Sequence, residues 1–126
     1  MTAPRAVILV FTLIEAGWMA MDGVRALFVG SFITPSTGPY AGQVGPWRHL
    51  VAPLGLNPNG TSMHWVFAVY GCAWLAIAVA FAAGRAWAWS AMVVAAAGAL
   101  WFLPFGTICS LVQLVLLVAY RSSLQR

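Results

Sequence analysis

Apolar positions in this chain run in long blocks rather than alternating. Residues 6–32 form the first block, in which the only charged side chains are Glu15, Asp22 and Arg25. A helix of that length crosses a hydrocarbon core of about 30 Å. Glu15 and Asp22 are the two carboxylates of the whole sequence. Seven residues apart, they fall within roughly 20° of each other on one helix face and about 10 Å apart along its axis. Trp18 and Met19 lie between them, and Arg25 follows Asp22 at the i,i+3 spacing that lets opposite charges meet.

Residues 33–62 change character, with Pro35, Gly38, Pro39, Gly42, Gly45, Pro46, Pro53, Gly55, Pro58 and Gly60. That density excludes a spanning helix and marks a long, functional type of connection outside the membrane. Within it, Gly45-Pro46 can start a short helix through Trp47, Arg48 and His49, Pro being suited to a first turn. Trp47, Leu50 and Val51 share one side, which suits an interfacial helix lying on the bilayer. Apolar blocks then predict helices at 63–82, 86–103 and 105–120, joined by tight turns at Gly84-Arg85 and Leu103-Pro104-Phe105-Gly106. The expectation is an all-α membrane protein, a single domain over 1–126 with four transmembrane helices and a long ordered outer loop. Helices 3 and 4 are short for a full crossing and should be steep or thin the bilayer. The N-terminal block resembles a signal peptide but is expected to be a retained helix, because Glu15 interrupts it and no A-x-A site follows.

Composition sharpens this reading. The chain is 63% hydrophobic and 6% charged, with mean hydropathy +0.91, against about 25% charged residues in soluble domains. Eight charged side chains could not solubilise such a core. The net charge of +4 comes from six arginines without lysine; they are too dispersed for a nucleic-acid patch. Arginine in place of lysine, with much Ala, Val, Gly and Trp, points to a GC-rich bacterial gene. Arg5, Arg85, Arg121 and Arg126 fall on one side of a four-helix topology and Arg25 and Arg48 on the other. That asymmetry predicts a bacterial cytoplasmic membrane protein with both termini cytoplasmic. Trp87, Trp89 and Tyr120 then lie at the inner interface and Trp65, Trp101 and Phe102 at the outer one.

Candidate chemistry is sparse. Glu15 sits near the midplane, where a bare carboxylate is costly and must face the bundle. Gln113 reaches a similar depth on the last helix, and a Glu15–Gln113 hydrogen bond would satisfy both. That pair is either a helix-to-helix clamp or a polar site for a proton, a quinone head group or a small apolar ligand. Asp22, Arg25 and His64 form a second set at the outer side, able to pin the loop to the bundle or to admit protons or an anion. His49 and His64 lack the companions of a metal or haem site. Cys72 and Cys109 read as buried small hydrophobes. Ser90 and Ser110 read as packing hydroxyls, and the Met92–Leu100 run offers small residues for close helix packing. No nucleophile–base–acid set or phosphate loop is present.

The order of elements resembles that of small four-helix bacterial membrane proteins grouped as DoxX-like, with a long outer segment after helix 1 and then two tight hairpins. Asp22-Gly23-Val24-Arg25-Ala26-Leu27 and Gly38-Pro39-Tyr40-Ala41-Gly42-Gln43 have the look of family signatures. Small size, a nearly chargeless surface and the lack of a catalytic set predict a non-catalytic accessory subunit of a larger membrane complex, such as an energy-transducing electron-transfer assembly. The alternative is a small carrier or redox helper in which Glu15 handles a proton beside a quinone. Expected partners are membrane lipids and a larger complex or further copies of the chain, with no nucleic acid, and no cofactor is required by the sequence.

Overall fold

The computed structural model describes residues 2–34, 44, 46–102 and 105–124. The Gly38–Gln43 string, the Leu103-Pro104 part of the second turn and Arg126 lie outside the described residues. Among those described the chain is all-helical.

Helix α1 spans Ala3–Val29, about 40 Å at 1.5 Å per residue. It starts earlier than the apolar block because Pro4 occupies the first turn, where its missing N–H costs nothing. It stops short of Phe32 because Gly30 takes the left-handed conformation (φ 99°) and donates its N–H to Ala26 O at 2.7 Å. After the loop come the single-turn α2 (Arg48–Val51) and a 3₁₀ turn (Ala52–Leu54). Helix α3 spans Thr61–Ala82, about 33 Å. Helix α4 covers only Ala88–Gly98, about 16 Å, α5 covers Phe105–Ala119, about 22 Å, and α6 is one turn, Arg121–Leu124. The expected helix 3 thus loses its last residues: after Gly98 the chain tightens into i→i+3 turns, with Leu100 N–H on Ala97 O and Phe102 N–H on Ala99 O.

The four longer helices close a ring in which α1 packs on α3 and α5, and α4 packs on the same two. Glycine sets the α1–α3 spacing. A Cβ on Gly71 would lie 2.3 Å from Ala20 N, and one on Gly23 would lie 2.3 Å from Ala68 N. The two backbones therefore touch, the close approach that small residues permit in membrane bundles.

One end of the bundle gathers the chain ends. Arg5 donates to Phe81 O and to Leu124 O, at the C-terminal ends of α3 and α6, where carbonyls lack helical partners. Trp89 Nε1 donates to Leu117 O at 2.9 Å, and Arg121 stacks over the Trp89 ring.

The opposite end has a different construction. Because α4 and α5 are shorter than α1 and α3, they leave space beside the upper halves of the long helices, and aromatic rings fill it. Trp47 is 3% exposed and reaches in from the loop. Its ring centroid lies 5.1 Å from Phe67, 5.6 Å from Trp101 and 6.0 Å from Phe32. Trp47, Leu50 and Val51 therefore do not share one side as expected. Trp47 and Val51 point into the bundle, while Leu50 and His49 face outward.

The surface is inverted relative to that of a soluble protein. Phe28, Val79, Val94 and Val115 are 88, 70, 70 and 64% exposed, while Thr12, Glu15, Asp22, His64, Ser110 and Gln113 are buried. Apolar outside and polar inside is the arrangement suited to lipid. α1 and α3 are each long and apolar enough to cross a membrane, whereas α4 and α5 are shorter apolar helices, α4 well short of its expected span and α5 one residue short. Cys109 is buried as expected, but Cys72 is exposed on the outer side of α3.

The α1–α3 contact yields a paired test. Gly71→Ala drives a Cβ into backbone and should lower stability by about 1–3 kcal/mol. Gly17→Ala, whose Cβ meets nothing within 4 Å, should be neutral or stabilise by up to about 1 kcal/mol through helix propensity. Denaturant unfolding of the detergent-solubilised protein, followed by circular dichroism, measures both.

Candidate functional site

The polar interior is built from α1 and α5, which run antiparallel. Thr12 and Glu15 are three residues apart on α1, and Ser110 and Gln113 are three apart on α5, so each pair lies on one face. All four are 0% exposed. Gln113 Nε2 donates to Glu15 Oε1 at 3.1 Å, and Ser110 Oγ lies 3.1 Å from both carboxylate oxygens. Thr12 Oγ1 lies 2.8 Å from Gln113 Oε1 and 2.8 Å from Ile8 O. With one proton, that hydroxyl serves one of these acceptors at a time. The result is a chain of hydrogen bonds, Thr12 to Gln113 to Glu15, closed by Ser110.

Gly106 completes the enclosure. A Cβ there would stand 2.7 Å from Glu15 Oε2 and 2.5 Å from Phe102 Cδ2. The glycine lets the first turn of α5 close over the carboxylate; a Cβ there would require Glu15 and Phe102 to shift. Two further polar groups on α3 bear on the interior. Tyr70 hydroxyl donates to Ala95 O on α4, passing over the notch left by Gly98. Trp74 is 1% exposed and its buried Nε1 has no hydrogen-bond partner among the described residues.

In the outer set, where Asp22 and Arg25 were expected to pair with His64 or loop amides as further partners, the loop backbone supplies the hydrogen bonds. Asp22 Oδ1 accepts from Ile33 N at 2.9 Å, and Arg25 Nη1 turns to Ser31 O at 3.4 Å. Both side chains thus engage the chain that reverses after α1. The turn exposes backbone groups there, and these claim the carboxylate and the guanidinium. His64 Nε2 lies 2.8 Å from Asn59 Oδ1, which also accepts from Phe32 N at 2.9 Å. The His64 ring meets Phe32 edge-on, with centroids 4.6 Å apart. Asp22, Asn59 and His64 thereby tie the start and end of the outer loop to α1 and α3. In the loop, Arg48 Nη1 donates to Val44 O at 2.9 Å.

The structure brings Glu15 and Gln113 together at one point, and Asp22, Arg25 and His64 at another. Trp47 joins the aromatic filling, whereas Arg48 and His49 stay apart from both polar groups. Sequence reasoning missed Thr12, Ser110 and Asn59. For the first two a signal existed: each lies three residues from Glu15 or Gln113 on the same helical face. Asn59 carried no such signal, because its role depends on how the loop folds back. Among the described residues, no three His, Cys, Asp or Glu side chains are grouped to hold a metal ion.

No protein-family model, curated protein or solved structure matches the chain. The resemblance to DoxX-like proteins therefore rests on the order of elements alone.

The inner network predicts that Gln113→Leu, which leaves Thr12 and Glu15 each without its amide partner, lowers stability by about 1–3 kcal/mol. Glu15→Gln keeps a carbonyl for the Gln113 donor, and the Ser110 hydroxyl can turn to meet the new amide. It should change stability by less than about 1 kcal/mol, in the range of interhelical hydrogen bonds within membranes. Chemical denaturation of both variants in the same detergent compares them directly.

Proposed function

We propose that this chain is a non-catalytic subunit of a larger assembly in the bacterial cytoplasmic membrane, an energy-transducing electron-transfer complex being the class that best suits its size and composition. On this reading all four helices cross the membrane. The arginine-rich end, with both termini, faces the cytoplasm, and the Trp47 end faces outward. The turns flanking α4 and α5 and the aromatic filling above them make up the depth that these short helices lack.

The observation that carries the reading is the complete enclosure of Glu15. Its carboxylate is 0% exposed and is engaged by Ser110 and Gln113 of the same chain. That is the behaviour of a clamp between α1 and α5, and it counts against a carrier in which the carboxylate meets a quinone or other ligand. What the chain offers outward is apolar. Along α1, Val10, Leu13, Ile14, Trp18 and Phe28 are all exposed, a face suited to lipid or to a partner helix.

Gentle-detergent extraction from native membranes, followed by size separation and mass spectrometry, tests the proposal. The chain should travel in a defined complex much larger than its own 13.5 kDa, and the companion proteins would name the process. Recovery as a lone monomer would overturn the subunit reading. Retained activity of such a monomer, lost in Glu15→Gln, would establish the carrier in its place.

A further inference from the structure

Between α3 and α4 a groove of about 380 Å³ opens on the outer surface, lined by Tyr70, Trp74 and Ile77 on one side and Ser90, Val94 and Ala95 on the other. A second hollow of about 480 Å³ continues it past Trp65 and Val69 and shares Tyr70 and Ala73 with the first. Together they follow α3 from Trp65 to Ile77, twelve residues or about 18 Å along the helix axis. The small side chains of Ala73 and Ala91 line the track and leave it open. Its floor is the buried Trp74, and the Tyr70 hydroxyl is held on Ala95 O. Its shape is that of an extended apolar chain.

The lower end of this track carries positive charge. Arg85 follows Gly84 in the α3–α4 turn, is exposed, and donates its backbone N–H to Ala80 O at 3.0 Å. This places its backbone nearly two helical turns beyond Ile77, a distance of which an extended arginine side chain spans the greater part. The other described arginines at this end are engaged: Arg5 with Phe81 O and Leu124 O, Arg121 with the Trp89 ring. Both Asp and Glu side chains of the sequence are on α1, at the middle and toward the opposite end, away from Arg85. Trp87, 58% exposed beside Arg85, marks the level of a headgroup region.

We propose that the α3–α4 groove binds one acyl chain of an anionic phospholipid whose headgroup phosphate rests on Arg85. This inference depends on the membrane location in the proposed function but not on the existence of a partner complex. Apolar contact holds the chain of any lipid, and Arg85 selects for negative charge. A neutral prenyl compound or a partner helix in the same groove would show no such selection.

The test is native mass spectrometry of the full chain, delipidated in mild detergent and titrated with dioleoyl phosphatidylglycerol or dioleoyl phosphatidylcholine. The wild-type protein should retain one phosphatidylglycerol in preference to phosphatidylcholine. Arg85→Gln, in an exposed turn, should weaken phosphatidylglycerol binding about fivefold, the scale of one basic residue against an anionic lipid surface, and leave phosphatidylcholine unchanged. Ala73→Phe should fill the groove and displace both lipids, whereas Val79→Phe, outside the groove lining and 70% exposed, should displace neither. Equal binding of the two lipids by wild type, or undiminished phosphatidylglycerol binding by either Arg85→Gln or Ala73→Phe, overturns the site. Absence of the chain from the membrane fraction would instead overturn the membrane reading beneath it.

Discussion

The backbone contact between α1 and α3 is the constraint from which the rest of the bundle follows. Gly23 against Ala68 and Gly71 against Ala20 bring two long helices together without intervening side chains. In a membrane, apolar surface gains little from leaving lipid for protein, so close packing and hydrogen bonds must hold helices together. Two contacts just under one turn apart fix both the distance and the rotation of the pair. That rotation turns Thr12 and Glu15 inward toward α5, where Ser110 and Gln113 receive them. The carboxylate can then be buried because its partners are delivered with it.

Helix length is the second constraint. A short α4–α5 hairpin beside two long helices would leave apolar volume empty at one end. The protein fills that volume with rings, and one of them, the buried Trp47, comes from the connection rather than from a long helix. The loop is therefore structural. It is tied at its start by Asp22 to Ile33 N, and Asn59 near its end joins Phe32 N to His64. At the other end of the bundle the device is electrostatic. Arg5 collects the carbonyls of two helix ends, and Arg121 lies over the Trp89 ring.

Glu15 was the residue most conspicuous in the sequence, and its surroundings were partly legible. Gln113 could be matched to it by depth, because both lie a countable number of turns from an interface. Ser110 was less visible, since a serine in an apolar helix commonly serves packing alone. Asp22 shows the limit more sharply. Its i,i+3 spacing from Arg25 is a local signal, but a backbone N–H eleven residues on supplies a competing donor. A loop amide was an expected partner of Asp22, but local spacing could not say which one, because Ile33 N comes into reach only when the chain reverses after Gly30.

The sequence by itself determined that the chain is helical and apolar outward, that its charges are few, and where its long helices run. Those properties are additive: composition, block length and turn residues each act over a few neighbours. Only the tertiary structure decided which side chains pair across the bundle, that helix 3 ends at Gly98, that Trp47 points inward and that Cys72 points outward. These depend on how far apart the helices sit and how each is rotated. Backbone contact at two glycines sets both quantities, and the hydrophobic pattern, nearly uniform around these helices, does not encode them.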